Sequence, residues 1–153
     1  MPISINKCRE IELKLVLDAK DGVLSIGEEQ NEKIQTKRKK IWDYYYDHLK
    51  DWAEENGVRL PIIPSNCDQV YHMFNLLIPS LEKRTALINR LKQNNISAVF
   101  HYLPLHLSDM GKKFGGKKGD CPVTEDMSDR LIRLPFYTNI LLEEQLETIH
   151  QIQ

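Results

Sequence analysis

The stretch Val99-Phe100-His101-Tyr102-Leu103-Pro104-Leu105-His106 concentrates the side chains best suited to chemistry. It sets two imidazoles and a phenol at the end of a short apolar run, and a glycine- and lysine-rich segment follows at once. Polar groups at the exit of a rigid element are a common arrangement for binding and catalysis. Three chemistries can be weighed against the spacing. A metal site would need His101 and His106 on one side, yet their odd separation sends them to opposite faces of an unbroken strand. No Asp or Glu sits at matching spacing either. Cysteine–histidine catalysis would need Cys121 to reach His106 across the loop, and nothing around Cys121 marks an activated thiol. A substrate-contact edge asks for the least special geometry. Imidazole and phenol both donate and accept hydrogen bonds, and His106 beside cationic lysines suits an anionic group.

The segment after His106 places Gly111, Gly115, Gly116 and Gly119 among Lys112, Lys113, Lys117 and Lys118. It does not match the phosphate loop G-x-x-x-x-G-K-[ST]. Two readings stand: a mobile cationic loop that covers a phosphorylated ligand, or a surface loop without a role.

The elements that must hold this stretch follow from periodicity. Ser97 to Tyr102 reads as a strand. So does Val70 to Pro79, with Val70, His72, Phe74, Leu76 and Ile78 on one face. That face makes His72 a hydrogen-bonded core histidine rather than a ligand. Between the two strands, Ser80 caps a helix with Glu82 in its first turn and Leu81, Leu87, Ile88 and Leu91 inward; Asn94-Asn95 ends it. Upstream, residues 28–56 form a long helix with an apolar stripe of Ile34, Ile41, Tyr45, Leu49 and Trp52, widened by Trp42. Gly57 is its left-handed cap, with Val58 packing back on the last turn. The Lys37 to Lys40 cluster reads as a solvated face of this helix. So broad an aromatic stripe calls for more surface than a small sheet offers, which points to a further part of the protein or a partner. Leu60 to Pro64 is an extended linker. Downstream, Thr124 caps a short helix with Glu125 and Asp126 in its first turn and Met127, Leu131 and Leu134 inward. Residues 140–152 close the chain as a helix burying Leu142, Leu146, Ile149 and Ile152. Residues 1–27 remain unassigned beyond a short strand over Ile11 to Leu17 and a turn at Asp21-Gly22. The sum is an α+β fold: a small, mainly antiparallel sheet with helices on one face, plus the long N-terminal helix.

The totals narrow the class. A formal net charge of -1 argues against nucleic-acid binding by the chain as a whole. No apolar run approaches the roughly 20 residues needed to span a bilayer. Met1-Pro2-Ile3-Ser4 does not open a secretory signal. Three distant cysteines, Cys8, Cys67 and Cys121, suggest neither a disulfide framework nor zinc, and fit a reducing cytoplasm.

Phe100 to His106 also resembles the F-H-Y-x-P-L-H stretch of the pyridoxal phosphate (PLP)-dependent nucleotide-sugar aminotransferases, the DegT/DnrJ/EryC1/StrS family. The likeness is to the 4-keto-6-deoxy-sugar transaminases of lipopolysaccharide and enterobacterial common antigen synthesis. His72-Met73-Phe74 is similar to the family's H-M-F strand, and Arg84 to Lys92 to its R-S-A-L-I-N-x-L-K helix. Ser128 to Pro135 is similar to S-E-R-L-L-R-L-P, and Ile34 to Leu49 to the I-x-x-x-R-x-x-x-W-x-x-Y-Y-x-x-L helix that joins the two domains.

The resemblance covers residue 28 to the end and implies the C-terminal small domain of such an enzyme. The intact transaminase binds PLP through a lysine in a segment similar to S-F-H-x-x-K-N, which this sequence lacks. The implied chain is therefore a fragment, inactive alone and without bound PLP. In the intact enzyme, glutamate would give its amino group to PLP and the amine would pass to a nucleotide-diphosphate keto-sugar, in a homodimer. Carried over by position, His106 is the foremost substrate-contacting residue, with Tyr102 and His101 beside it. Lys112, Lys113, Lys117 and Lys118 would cover the diphosphate. The competing reading is a standalone module that dimerises through the aromatic face of the long helix.

Overall fold

The computed structural model describes residues 22–153, with side chains from residue 32. The strand expected near the start, and Asp21 of the expected turn, lie outside the described residues; Gly22, the other turn residue, instead opens a helix. The chain divides into residues 1–37 and Arg38–Gln153. Helix α1, Gly22–Glu55, begins earlier than the expected residue 28. In the second unit its Ile41, Trp42, Tyr45, Leu49 and Ala53 are buried. Trp42 lies inside the core rather than at its edge: its ring meets Phe74 edge-on at 5.3 Å and stacks on Tyr46 at 5.2 Å. Ile34, expected on the buried stripe, is exposed. Gly57 ends the helix with φ +64°, and Val58 is buried with its N–H on the Ala53 carbonyl, as the local pattern requires.

The sheet has three short strands, β1 (Asn75–Leu77), β2 (Val99–Phe100) and β3 (Leu131–Arg133), in the order β1-β3-β2 with both pairs antiparallel. Leu76 and Phe100 both stand opposite Ile132, so the fully buried Ile132 is the pivot of the sheet. One core joins Ile132 and Leu76 to α1, to Leu91 of α2 (Leu81–Gln93), and to Ile149 and Ile152 of the last helix. Removing water from these apolar faces is the main force holding so small a sheet in place. Two polar groups enter the core with partners: Gln145 donates to the Ile41 carbonyl at 3.0 Å, and Tyr45 donates to the Pro135 carbonyl at 2.9 Å. Burial pushes the Tyr45 phenol well above its usual range.

Several local expectations need correction. The first strand spans only Asn75–Leu77 because Tyr71 adopts φ +44°, which breaks the extended path. His72 therefore sits on the surface rather than in the core. The second strand likewise shrinks to Val99–Phe100. Ser80 does cap α2, accepting the Lys83 N–H, and Asn95 takes φ +59° just beyond it, but Leu81 is exposed. Thr124 is not a cap: the short helix α4, Pro122–Arg130, starts earlier, with proline preset in its first turn. The last helix, α5, spans Leu142–Ile152; it turns Leu142 outward and buries Gln145 and Thr148 instead.

Candidate functional site

After Phe100 the chain leaves the sheet, passes the buried Pro104, and enters a 3-10 turn at Leu105–Leu107. The expected loop then forms a short helix, α3 (Asp109–Lys113), capped by Ser108, whose Oγ accepts the Gly111 N–H at 3.0 Å. Gly111 and Gly116 lie directly against the His106 main chain. A Cβ on Gly111 would run into the Leu105 carbonyl and the His106 backbone, and one on Gly116 into the His106 carbonyl. Close backbone approach explains glycine at both positions.

His106 is the centre of this turn. Its Nε2 lies 2.8 Å from Oε1 of Glu125, and that oxygen also accepts the Gly119 N–H at 2.8 Å. The side chains are only 15% and 12% exposed. The imidazole hydrogen bond, with the Gly119 N–H behind it, holds the Glu125 carboxyl below the usual carboxylate range. One carboxylate thus ties the 3-10 turn to the segment before α4. A second tie, Ser128 Oγ donating to the Tyr102 carbonyl at 2.7 Å, fixes the exit of β2 on the same helix.

Beside these ties runs a groove of ≈370 Å³, lined among others by His101, Tyr102, Leu105, Thr124, Met127 and Leu131. His101 and Tyr102 therefore share one recess, with ring centroids 4.6 Å apart. His106 does not line the groove, and Lys112, Lys113, Lys117 and Lys118 are exposed outside it. Arg133, from the central strand, lies over the Tyr102 ring at 5.3 Å. Burial, and then the Arg133 charge, lower the pKa of His101. A larger hollow of ≈470 Å³ lies elsewhere, between the end of α2 and α5; Glu144 at its wall is already bonded to the Tyr137 hydroxyl and the Leu141 N–H. Among the described residues no group of three His, Cys, Asp or Glu side chains is placed to hold a metal. Sequence reasoning missed Glu125 as the partner of His106 and Arg133 as a site residue. Only Arg133 left a trace, as a charge between the apolar Ile132 and Leu134.

The DegT/DnrJ/EryC1/StrS aminotransferase family matches residues 25–153, and the chain belongs to it. It is 30% identical over 134 residues to the uncharacterized protein MJ1066 of Methanocaldococcus jannaschii, covering 84% of this chain and 34% of that one. It is 25% identical over 120 residues to a dTDP-3-amino-3,4,6-trideoxy-alpha-D-glucose transaminase of Micromonospora megalomicea, covering 75% and 31%. A DegT DnrJ EryC1 StrS aminotransferase from Brucella abortus shares the fold with a TM-score of 0.63 and 26% identity, over 77% of this chain and 30% of that one. The chain spans about a third of the length of the curated relatives it matches. Solved structures of aminotransferases share the α+β fold with its small antiparallel sheet. The described residues do not fit the anchoring of PLP, the family's coenzyme: a lysine that binds it needs shelter to lower its pKa, and every described lysine is exposed. No described helix is long and apolar enough to cross a membrane.

Proposed function

We propose that this chain is the C-terminal small domain of a PLP-dependent sugar-nucleotide aminotransferase. The observation that carries the reading is the groove at the exit of β2, which unites His101 and Tyr102 in a chain of the aminotransferase family. The substrate is a dTDP-4-keto-6-deoxy-sugar of lipopolysaccharide, O-antigen or common-antigen synthesis, the amino donor is glutamate, and the enzyme is a cytoplasmic homodimer. A relative named as a transaminase of a dTDP-amino-sugar supports the nucleotide-sugar part. The coenzyme, held elsewhere in the intact enzyme, supplies the amino-transfer chemistry. This chain's part is recognition. Tyr102 and His101 orient the sugar nucleotide, and His106, with Nε2 committed to Glu125, offers Nδ1. Lys112, Lys113, Lys117 and Lys118 provide positive charge near the diphosphate. Alone, the chain is inactive.

Incubating the chain with PLP, then removing free coenzyme by gel filtration, tests this. The expected result is a spectrum without a retained Schiff-base band, with binding of a dTDP-sugar seen by titration. A retained band overturns the small-domain reading. A tight dimer in light scattering, indifferent to sugar nucleotides, replaces it with the interaction module.

A further inference from the structure

The outward row of the sheet sets Asn75, Arg133 and Val99 side by side, and His101 continues the path of β2 from Val99. Arg133 forms none of the ion pairs among the described residues. Its Nε is buried and without a hydrogen-bond partner, and so is Nδ1 of His101. Unpaired buried polar atoms are costly. Trp42 Nε1 and Gln35 Oε1 share that state, but only Arg133 and His101 stand together, both against Tyr102. Tyr102 lies against the guanidinium at 5.3 Å and against the His101 ring at 4.6 Å, so all three side chains are fixed relative to one another. A guanidinium flanked by an aromatic ring keeps its in-plane N–H groups for an acceptor, and that fork fits the two oxygens of a carboxylate or phosphate.

We propose that Arg133, His101 and Tyr102 form an oxyanion subsite on the open side of the sheet, with Arg133 as its charged anchor. The missing acceptor is supplied by the ligand. Two ligand groups carry this chemistry: the diphosphate of a sugar nucleotide and the carboxylate of an amino-acid donor. The lowered pKa of His101 agrees with the arrangement, because burial, and then the neighbouring Arg133 charge, favour the neutral ring. A neutral imidazole keeps one donor and one acceptor, and can therefore bond both the anion and its bound water.

The inference rests on the sugar-nucleotide reading, but it is tested without the coenzyme. The His101 ring signals, assigned in the NMR spectrum with His101→Gln, are followed while inorganic pyrophosphate or L-glutamate is titrated into the full chain. A saturable shift is expected with one of them, and the titrant that binds more tightly names the source of the anion. Arg133→Gln should weaken that binding by at least about tenfold, the range for losing a charged hydrogen-bond partner. Arg133→Lys, which keeps the charge but not the fork, should fall between, and it serves where Arg133→Gln does not fold. Signals unmoved by either anion, or substitutions that bind like the native chain, overturn the subsite. The coenzyme spectrum tests the small-domain reading without involving Arg133, so the two can fail separately.

Discussion

Nε2 of His106 and Oε1 of Glu125 stand 2.8 Å apart, and the same oxygen accepts the Gly119 N–H. The segment expected to be a mobile loop is therefore pinned at its start, by His106, and near its far end, by Gly119. Glu125→Gln keeps the shape but replaces a charged acceptor with a weaker one. The Gly119 amide should then exchange its hydrogen faster than in the native chain, while amides of the core, such as Ile132, stay unchanged. Exchange followed by NMR separates this local loosening from general destabilisation.

The same carboxylate sets a pH dependence. Its folded pKa lies below the ordinary 4.5, so its contribution is complete above that value and disappears as pH falls through the folded value. Gly119 protection should therefore persist from neutral pH to about pH 4.5 and decay below it. In Glu125→Gln that acid-side decay should vanish: protection should be lower than native near neutral pH and converge with the native chain in acid.

Gly111 offers a test in which two physical effects oppose each other. It lies inside helix α3, where alanine is favoured over glycine by about 1 kcal/mol. Its missing Cβ, however, is the space that the Leu105 carbonyl and the His106 backbone occupy. Crowding of main chain should prevail, because backbone atoms cannot turn aside. Gly111→Ala is expected to destabilise by about 1–3 kcal/mol, read from a denaturant midpoint.

What the sequence disclosed, and what it hid, divides by range. Gly57, Ser80 and Asn95 were legible because a cap depends on a few neighbouring residues. Ile41, Tyr45 and Leu49 were legible because a helix repeats its buried face at fixed intervals. His72 misled because alternation assumes an unbroken strand, and Tyr71 turns the backbone just before it. In α5, apolarity favoured Leu142, yet Gln145 is buried because the Ile41 carbonyl, far away in sequence, receives its amide. The site divides the same way. His101 and Tyr102 were visible as neighbours, while Glu125 meets His106, and Arg133 meets Tyr102, only through folding.

Tyr45 carries the last prediction. Its ring is fully buried against Phe74 at 5.3 Å, and its hydroxyl donates to the Pro135 carbonyl at 2.9 Å, joining α1 to the segment that follows β3. Tyr45→Phe keeps the ring and leaves that carbonyl without its donor, which should cost about 0.5–1.5 kcal/mol. A second, independent signature lies in alkali. Burial raises the folded pKa above the ordinary 10.0, so the unfolded phenol ionises first. The neutral phenol's contribution is complete below about pH 10 and is lost as pH rises beyond it, because only the unfolded chain then gains by releasing the proton. Unfolding midpoints measured on both sides of pH 10 should fall more steeply for the native chain than for Tyr45→Phe. Equal slopes would mean that the phenol reaches water in the folded state, and that the junction between α1 and Pro135 is looser than its hydrogen bond implies.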